Sequence, residues 1–284
     1  MRKSRVAIQG IQASFHDQAA RTFFGNDIET VECNSFDASC KAVCDNRADY
    51  CVIAIENSLA GSILSNYNLI KNNRLEIMGE LFLKIELHLL AVPGVTVLDI
   101  TTIKSHPIAI RQCADYLSAN PQLSVVESQD TATCAKTVAA QQPKDTAVIA
   151  SDVAAEKYGL NIIARNIETH KKNFTRFFVL SKGQQIEEKA DKATLCFNLG
   201  HEPGSLVKAL KVLERNLVNI SRIQSVPIVG KPSEYHFYLD VEYIDKYIFD
   251  NCLKQLNKKT KQLVVLGEYK RQEFKLKSSK TINN

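Results

Sequence analysis

The sequence predicts an α/β protein in which two α/β lobes enclose a cleft and a smaller βαββαβ unit follows them. Residues 1–180 repeat an order of short apolar run, polar turn and helical pattern, which is typical of α/β folds. The polar segment Lys182–Lys192 separates this region from a second one, which combines alternating strands with an amphipathic helix. With 284 residues, 45% of them hydrophobic and 24% charged, the chain fits about two folded domains and does not have the composition of a disordered protein.

The chain is predicted to leave its first lobe and return to it. The strand-like run 174–180 follows the second lobe, so we expect the first domain to span residues 1–183. One lobe takes about residues 1–83 and 165–183, and the other takes about residues 84–164. The second domain is expected at residues 193–270, and residues 271–284 form a basic tail. A small ligand would lie between the two lobes.

The first lobe is predicted to open with a strand, a glycine turn and a helix. Residues 5–9 form the strand, Gly10 forms the turn, and Ser14 stands where it can cap a helix that carries Phe15 and Phe23. Helix N-termini offer N–H groups to anions, so Ser14 is a candidate for carboxylate binding. A plain helix cap explains this residue equally well.

A polar segment follows the most apolar strand of the first lobe. Cys51–Ile55 is a continuous apolar run, as expected for a central strand of a parallel sheet that is covered on both faces. Glu56, Asn57 and Ser58 come directly after it, with Gly61 close behind. Open α/β sheets bind ligands at the carboxyl ends of their strands, so this segment is a candidate site. The alternative is that Asn and Ser only form a turn and a helix cap.

The second lobe repeats the order of strand, polar turn and helix. We expect strands at Ile85–Val92 and Ile103–Ser105, then a helix that opens at His106-Pro107 and runs through Leu117. After a strand at Val125-Val126, the turn Asp130-Thr131 precedes an alanine-rich helix, and Thr146–Ala150 forms one more buried strand. His106 and Thr131 therefore stand at strand-to-helix turns.

The last region is predicted to have the βαββαβ order of ferredoxin-like domains. Apolar or alternating runs predict strands at Ala193–Leu199, Ile220–Ile228, Tyr235–Tyr243 and Leu263–Tyr269. Leu206, Leu210, Leu213 and Leu217 lie on one face of a helix that starts after Pro203-Gly204, and a second helix is expected at Lys246–Leu256.

A threonine and an arginine stand between aromatic residues at the start of the strand Phe174–Leu180. Thr175 offers one directed hydrogen bond, and Arg176 offers two-pronged recognition of a carboxylate. The pair suits a small acidic substrate, although a strand with a surface salt bridge is a simpler explanation. Because residues alternate faces along a strand, Arg176 can instead hold the strand that bears Thr175.

The positive charge of the chain is concentrated at one end. Residues 254–284 hold nine Lys and Arg residues against Glu268 and Glu273, while the whole chain has a net charge of +5. The remainder is near neutral and the tail has few aromatic residues for base stacking, so no nucleic acid partner is expected. The eight cysteines form no Cys-x-x-Cys pair, which argues against a metal site.

No apolar run reaches the roughly 20 residues of a membrane span. The first residues move from Arg2 and Lys3 to an apolar stretch too short for the core of a signal peptide. We therefore expect a cytoplasmic protein with no membrane partner.

In its motifs the chain resembles the prephenate dehydratases that carry a C-terminal ACT regulatory domain. The resemblance covers nearly the whole chain and rests on separated motifs in a fixed order: Gly10-Ile-Gln-Ala-Ser14-Phe15, Glu56-Asn57-Ser58 with Gly61, Ser105-His106-Pro107, Asp130-Thr131-Ala132 and Asn173-Phe174-Thr175-Arg176-Phe177. Gly204-Ser205-Leu206-Val207 and Gln224-Ser225-Val226-Pro227 resemble the two motifs of the family's phenylalanine-binding region. Gln224 and Val226 depart from the Glu and Arg of the second motif.

The resemblance implies a first domain like the periplasmic binding proteins, and an enzyme that converts prephenate to phenylpyruvate, water and carbon dioxide without a cofactor. It assigns the catalytic role to Thr175. The residues implied to bind substrate are Ser14, Asn57, Ser58, Thr131 and Arg176. The residues implied to support the site are Glu56, Gly61, His106 and Phe177. No residue of the sequence distinguishes prephenate from its amino relative arogenate.

The resemblance also implies feedback regulation by L-phenylalanine, bound to the last domain at a subunit interface. The residues implied to bind it are Pro203, Gly204, Ser205, Leu206, Asn219 and Ser225. A homodimer or homotetramer is expected, and the chain is expected to be monofunctional because no chorismate mutase segment precedes its dehydratase block. The alternative from another class is a non-catalytic module that binds a small acid, since two lobes around a cleft also suit binding proteins.

Overall fold

The computed structural model describes residues 2–183 and 189–272, so part of the segment Lys182–Lys192 and most of the basic tail lie outside the described residues. The strands are β1 (Ser4–Gln9), β2 (Ile28–Cys33), β3 (Tyr50–Asn57), β4 (Gly61–Ser62), β5 (Glu76–Lys84), β6 (His88–Ala91), β7 (Thr102–Ser105), β8 (Ser124–Glu127), β9 (Thr146–Ala150), β10 (Asn161–Ala164), β11 (Phe174–Ser181), β12 (Lys192–Asn198), β13 (Asn219–Pro227), β14 (Tyr235–Glu242) and β15 (Lys261–Tyr269). The helices are α1 (Phe15–Phe24), α2 (Phe36–Cys44), α3 (Leu64–Asn72), α4 (Pro107–Gln112), α5 (Ala114–Ser118), α6 (Thr131–Gln141), α7 (Asp152–Tyr158), α8 (Ser205–Arg215) and α9 (Lys246–Asn257), with one 3-10 turn at Val97–Asp99. These elements confirm the predicted α/β class.

The sheet of the first lobe is mixed, with the strand order β2-β1-β3-β11-β5. β1 pairs in parallel with β2 and β3, whereas β11 runs antiparallel to both β3 and β5. The run Cys51–Ile55 is fully buried inside β3, as predicted for a central strand. The expectation of a parallel sheet around it is wrong on one side, because the chain returns from the second lobe through β11.

The second lobe has the strand order β10-β6-β9-β7-β8. Its strand β9 covers the predicted run Thr146–Ala150 residue for residue. The strand expected at Ile85–Val92 is shorter, because β6 covers only His88–Ala91 and residues 85–87 lie between it and the end of β5 at Lys84. The helix expected through Leu117 is interrupted at Cys113, whose N–H bonds to the carbonyl of Ile110 and so closes a tighter turn between α4 and α5.

The C-terminal sheet has the strand order β13-β14-β12-β15, and its elements follow the predicted βαββαβ order. Helices α8 and α9 cover one face of this sheet, with Leu195 and Leu239 in the shared core. The opposite face packs against the first lobe, where Tyr238 and Tyr269 share a core with Phe178 of β11. Both faces of the sheet are therefore buried at the central strand β12, whereas β13 at its edge is largely exposed.

Strand β15 approaches β5 of the first lobe backbone to backbone. A Cβ atom on Gly267 would lie 2.0 Å from the carbonyl oxygen of Ile77, so only glycine permits this approach. The C-terminal unit is thus docked on the same sheet that contains β11, the strand of Thr175 and Arg176.

Across residues 2–183 and 189–272, no helix combines the length and the apolar character needed to cross a membrane. Within the same ranges, no group of three or more His, Cys, Asp or Glu side chains is arranged to hold a metal ion. The eight cysteines are free thiols, and all but Cys44 are buried.

Candidate active site

The predicted site residues lie at one edge of each lobe. In the first lobe β1 and β3 run in parallel and β11 runs the opposite way, so Ser14, Asn57 and Thr175 belong to the same edge of the sheet. In the second lobe β7 is parallel to both β8 and β9, and the carboxyl ends of these strands lead into His106 and Thr131. Both edges are the ligand-binding edges of α/β sheets.

Thr175 and Asn57 are hydrogen-bonded across neighbouring strands. They are register partners on β11 and β3, and Nδ2 of Asn57 donates to Oγ1 of Thr175 at 3.0 Å. Oδ1 of Asn57 accepts from the N–H groups of Leu59 and Ala60 at 3.0 and 2.9 Å, which fixes the end of the amide that faces Thr175. Since the buried Thr175 hydroxyl accepts from Asn57, its own proton is left to donate to a bound molecule.

Asn173 joins this pair, although the sequence did not identify it as a site residue. Its side chain is fully buried, and its Oδ1 accepts from Nδ2 of Asn57 at 2.8 Å. Its own Nδ2 has no hydrogen-bond partner. A buried amide donor without a partner is costly, so this group is suited to a polar ligand atom. The available signal was its spacing, two residues before Thr175 and hence on the same side of the chain.

Ser58 fixes the start of β11. Its hydroxyl accepts from the N–H of Phe174 at 3.0 Å and donates to the carbonyl of Lys172 at 3.3 Å. This pairing favours a positioning role for Ser58 over the predicted contact with substrate. Gly61 has a φ of 81° and pairs with Asn57 through β4, so it supports the same strand end.

Ser14 caps α1, as its sequence position indicates, at a point where the two lobes touch. Its hydroxyl accepts a main-chain N–H of the first helical turn at 3.2 Å. Nε2 of Gln18 donates to the hydroxyl of Ser151 at 2.9 Å, and the hydroxyl of Tyr158 donates to the carbonyl of Gln12 at 2.8 Å. These two bonds join the lobes beside Ser14. Sequence reasoning missed them because no local pattern marks either partner.

In the second lobe, His106 and Asp130 cap the helices that begin at the edge of the sheet. Nδ1 of His106 accepts from the N–H of Ile108 at 3.1 Å, and burial lowers the pKa of this histidine. His106 is therefore mainly neutral at pH 7. Asp130 accepts from the N–H of Thr133 at 2.7 Å and caps α6, so Thr131 is the first helical residue.

Arg176 is directed away from Thr175, into the contact with the C-terminal sheet. Its guanidinium donates to Glu80 of β5 at 2.8 Å, and it forms an ion pair with Asp240 of β14. Burial acts to lower the pKa of Arg176, but charge interactions led by Asp240 outweigh it and hold the pKa well above its ordinary value. The prediction that Arg176 binds substrate is corrected, because this buried guanidinium is committed to protein carboxylates. It holds the strand of Thr175 instead.

Two more of the residues predicted to support the site, Glu56 and Phe177, contact other side chains of the protein. Oε2 of Glu56 lies 3.1 Å from Nε of Arg222 on β13, in accord with the expectation that Glu56 binds a neighbouring side chain instead of the ligand. The ring of Phe177 is buried and lies edge-on to the ring of His16, with centroids 5.1 Å apart. Both contacts stabilise the strands on which Asn57 and Thr175 lie.

The residues predicted to bind L-phenylalanine are divided between two surfaces of the C-terminal unit. Three of them line one cavity of about 500 Å³: Pro203, Ser205 and Leu206. Gly204 precedes α8 with a φ of 79°, a backbone conformation that favours glycine. Ser225 is the register partner of Phe237, which lines the same cavity. Asn219 instead lines a groove beside α8, so the single chain does not bring all six together.

Comparison with known proteins gives a family and named relatives. The sequence profile of the family described as "Prephenate dehydratase" matches residues 6–185. The bifunctional chorismate mutase/prephenate dehydratase of Aquifex aeolicus is 34% identical over 270 residues, which cover 94% of this chain and 74% of that protein. The arogenate dehydratase/prephenate dehydratase 2 of Arabidopsis thaliana is 36% identical over 279 residues, which cover 93% of this chain and 72% of that protein.

Two solved structures are similar over nearly the whole chain. The prephenate dehydratase from Arthrobacter aurescens, in complex with L-Phe, has a TM-score of 0.85 and 28% identity over 94% of this chain and 90% of that one. A structure described as GqqA, a novel type of quorum quenching acylase, has a TM-score of 0.86 and 33% identity over 95% of this chain and 99% of that one.

The chain is thus a two-lobed α/β protein with a buried hydroxyl and amide at the carboxyl end of β3 and a docked βαββαβ unit. The chain belongs to the prephenate dehydratase family, whose profile spans well over half of it. Its enzymatic class is that of the prephenate dehydratases, which are carbon–oxygen lyases.

Proposed function

We propose that this enzyme converts prephenate to phenylpyruvate, and that Thr175 assists the departure of the 4-hydroxyl group. The observation that carries the proposal is the hydrogen bond from Asn57 to Thr175, at 3.0 Å. This bond occupies a lone pair of the threonine oxygen and leaves its proton as the donor toward the cleft. A donor placed in advance where negative charge develops stabilises a transition state without reorganisation.

The reaction breaks one C–C bond and one C–O bond. The electron pair of the bond to the ring carboxylate moves into the ring as carbon dioxide leaves. The bond to the 4-hydroxyl breaks with its pair on oxygen, and that oxygen takes up one proton and departs as water. The balance is therefore one proton consumed, with no net oxidation. A threonine hydroxyl is a weak acid, so Thr175 donates a hydrogen bond or relays a proton that comes from solvent.

The substrate has two carboxylates, and we assign donors to them from both lobes. Ser14 and the N–H groups at the start of α1 serve one lobe, and Thr131 at the start of α6 serves the other. Helix N-termini suit negative charge because of their unpaired N–H groups and the helix dipole. The unpartnered Nδ2 of Asn173 supplies a further donor close to Asn57 and Thr175. Holding both carboxylates fixes the ring relative to Thr175.

The experiment that tests this assignment is phenylpyruvate formation by the purified protein from prephenate, with arogenate as a parallel substrate. Arogenate is the second candidate because the Arabidopsis relative carries both names. We expect the larger kcat/KM with prephenate. Phenylalanine formed from arogenate at a higher kcat/KM would reverse the substrate assignment and keep the site.

We propose further that residues 1–183 form the catalytic domain, and that residues 193–270 form an ACT domain that binds L-phenylalanine and regulates the enzyme. Support comes from the βαββαβ order, from the cavity beside Gly204, and from the L-Phe complex of the Arthrobacter enzyme. Because Asn219 lies outside that cavity, the site would be completed by a second copy in a dimer or tetramer.

Calorimetry with L-phenylalanine tests the regulatory proposal. We expect saturable heat, a higher thermal midpoint and a change in turnover. The variant Gly204→Val should lose all three, since a β-branched residue is strained at a φ of 79°. Light scattering should show a dimer or tetramer. Absence of heat and of any midpoint change with the unaltered protein would contradict the proposal.

A further inference from the structure

Four charged residues join the strands of the active site to the C-terminal sheet. On the first lobe, Arg176 and Glu56 are register partners on β11 and β3. On the C-terminal sheet, Arg222 and Asp240 are register partners on β13 and β14. Across the boundary, Arg222 pairs with Glu56 at 3.1 Å and Arg176 pairs with Asp240. The four formal charges alternate in sign and cancel, and the four residues are here called the boundary quartet.

The boundary quartet lies one residue away from the catalytic pair on both strands. Thr175 is paired with Asn57 in the same register in which Arg176 is paired with Glu56. Successive side chains of a strand point to opposite faces, so one face of the strand pair carries the hydroxyl and the amide, and the other carries the quartet. A shift of Glu56 or Arg176 therefore moves the backbone that positions Asn57 and Thr175.

Arg222 is held firmly by the first lobe. It donates to the hydroxyl of Ser62 at 2.7 Å, bonds the hydroxyl of Tyr67, and lies over the ring of Tyr67 at 4.8 Å from its centroid. Ser62 is itself the register partner of Glu56 through β4. Together with the ion pair to Glu56, these contacts join one guanidinium to β3, β4 and α3 of the first lobe.

Asp240 is held equally firmly on the other side of the boundary. Its side chain is 1% exposed and accepts from the hydroxyl of Thr194 at 2.8 Å, besides its ion pair with Arg176. Glu80 is a second carboxylate partner of Arg176, and it also accepts from Nζ of Lys192. The side chains of Arg176, Asp240 and Glu80 are all buried and paired, and such networks have one preferred arrangement.

We propose that Arg222 and Asp240 are positioning residues for the dehydratase reaction, because they hold Asn57 and Thr175 in place through Glu56 and Arg176. We propose also that the same contacts transmit ligand binding at the C-terminal unit to the active site. This second statement rests on the proposed regulation by L-phenylalanine. Arg222 lies two residues before Gln224 on β13, the strand that also bears Ser225. A change in β13 on binding would reach Glu56 through a single side chain.

The test uses Arg222→Met in the full-length chain, with Arg222→Lys as the conservative variant. Lys71→Met is the matched control, because Lys71 also crosses the boundary, 2.9 Å from Nε2 of His236, but lies on α3 and not on a strand of the site. We expect Arg222→Met to lower kcat about fivefold or more with KM changed less than about twofold, as for a loss of positioning. Arg222→Lys should recover most of the activity, and Lys71→Met should match the unaltered enzyme.

Regulation is measured on the same variants. Arg222→Met should still bind L-phenylalanine in calorimetry, while the effect of the ligand on kcat falls below about twofold. An unaltered enzyme that binds no L-phenylalanine would overturn the regulatory proposal alone, because the kcat comparison still stands. Unchanged kcat and unchanged response to L-phenylalanine in Arg222→Met would overturn the role of the boundary quartet.

A readout independent of turnover is amide hydrogen exchange at Leu59 and Ala60, whose N–H groups bond to Oδ1 of Asn57. We expect exchange there to rise about fivefold or more in Arg222→Met and to stay unchanged in Lys71→Met, since local opening follows the loss of a local contact. Equal exchange in all three proteins would contradict the proposal even if folding and activity were altered for other reasons.

Discussion

The amide of Asn57 donates to the hydroxyl of Thr175 across two neighbouring strands, and this bond determines which way the threonine proton is directed. Asn57 is itself oriented by the main chain, through Leu59 and Ala60. The chemistry of the site therefore depends on the pairing of β3 with β11, which brings together residues far apart in sequence. A substitution that weakens this strand pairing should therefore lower kcat even when the protein still folds.

The variant Thr175→Val should lower kcat by about 10² to 10⁴, the usual scale for a group that assists proton transfer. Valine has nearly the same shape and fits β11, so the thermal midpoint should change little. Thr175→Ser keeps the hydroxyl and should retain more activity than Thr175→Val. Steady-state kinetics at saturating prephenate measure the effect, and equal kcat values for the two variants would contradict the assignment.

The isosteric variant Asn57→Asp should lower kcat about 10²-fold or more at neutral pH. An ionised carboxylate keeps the acceptor for the main-chain N–H groups but accepts the Thr175 proton instead of donating to its oxygen. If the two residues act as a unit, Asn57→Asp should cost little more in a Thr175→Val background. Additive losses in the double variant would show that Asn57 acts independently of Thr175.

The variant Arg176→Met should destabilise the fold by about 3 to 5 kcal/mol, because it leaves the buried carboxylate of Asp240 without its cation and leaves Glu80 with Lys192 alone. Lys84→Met is the control, since it removes an exposed ion pair with Glu86 and should cost about 1 kcal/mol or less. Denaturant unfolding measures both. Similar losses for the two variants would contradict the structural role given to Arg176.

Stability should fall as the pH drops from about 6.5 to 4 because of His16. Its Nε2 is buried without a partner, and burial lowers the pKa of His16 from 6.5 to about 4. The unfolded chain takes up a proton below pH 6.5 while the folded chain does not, so the folded state loses about 2 kcal/mol by pH 5. Unfolding curves at pH 7 and 5 measure this difference. His16→Phe should lack it, and an identical pH dependence in both proteins would refute the account.

The parts of the fold that sequence alone predicts are those with a local pattern. Thr146–Ala150 is a short apolar run with polar flanks, and it is a buried strand of the same limits. The βαββαβ order of the last region follows from alternation in the strands and from one apolar stripe on α8. Ser14 at the cap of α1 and Asn57 at the end of β3 follow from the same kind of reasoning.

The parts that sequence did not predict depend on partners far away in the chain. The strand direction of β11 could not be read from its own residues, and no strand was predicted at Glu76–Lys84, where β5 lies. Arg176 looked like a ligand for substrate because its carboxylate partners lie 96 and 64 residues away. Alternation along the strand suggested the other face, but only the docked C-terminal sheet shows what that face contacts.

The most direct test of the central claim is a time course of prephenate consumption by the purified protein and by Thr175→Val in the same assay. We predict equimolar phenylpyruvate and carbon dioxide from the unaltered enzyme. For the variant we predict a rate that is lower by a factor of about 10² or more, at an unchanged thermal midpoint. Folded, unaltered protein that forms no phenylpyruvate, or a variant that forms it at the same rate, would contradict the account.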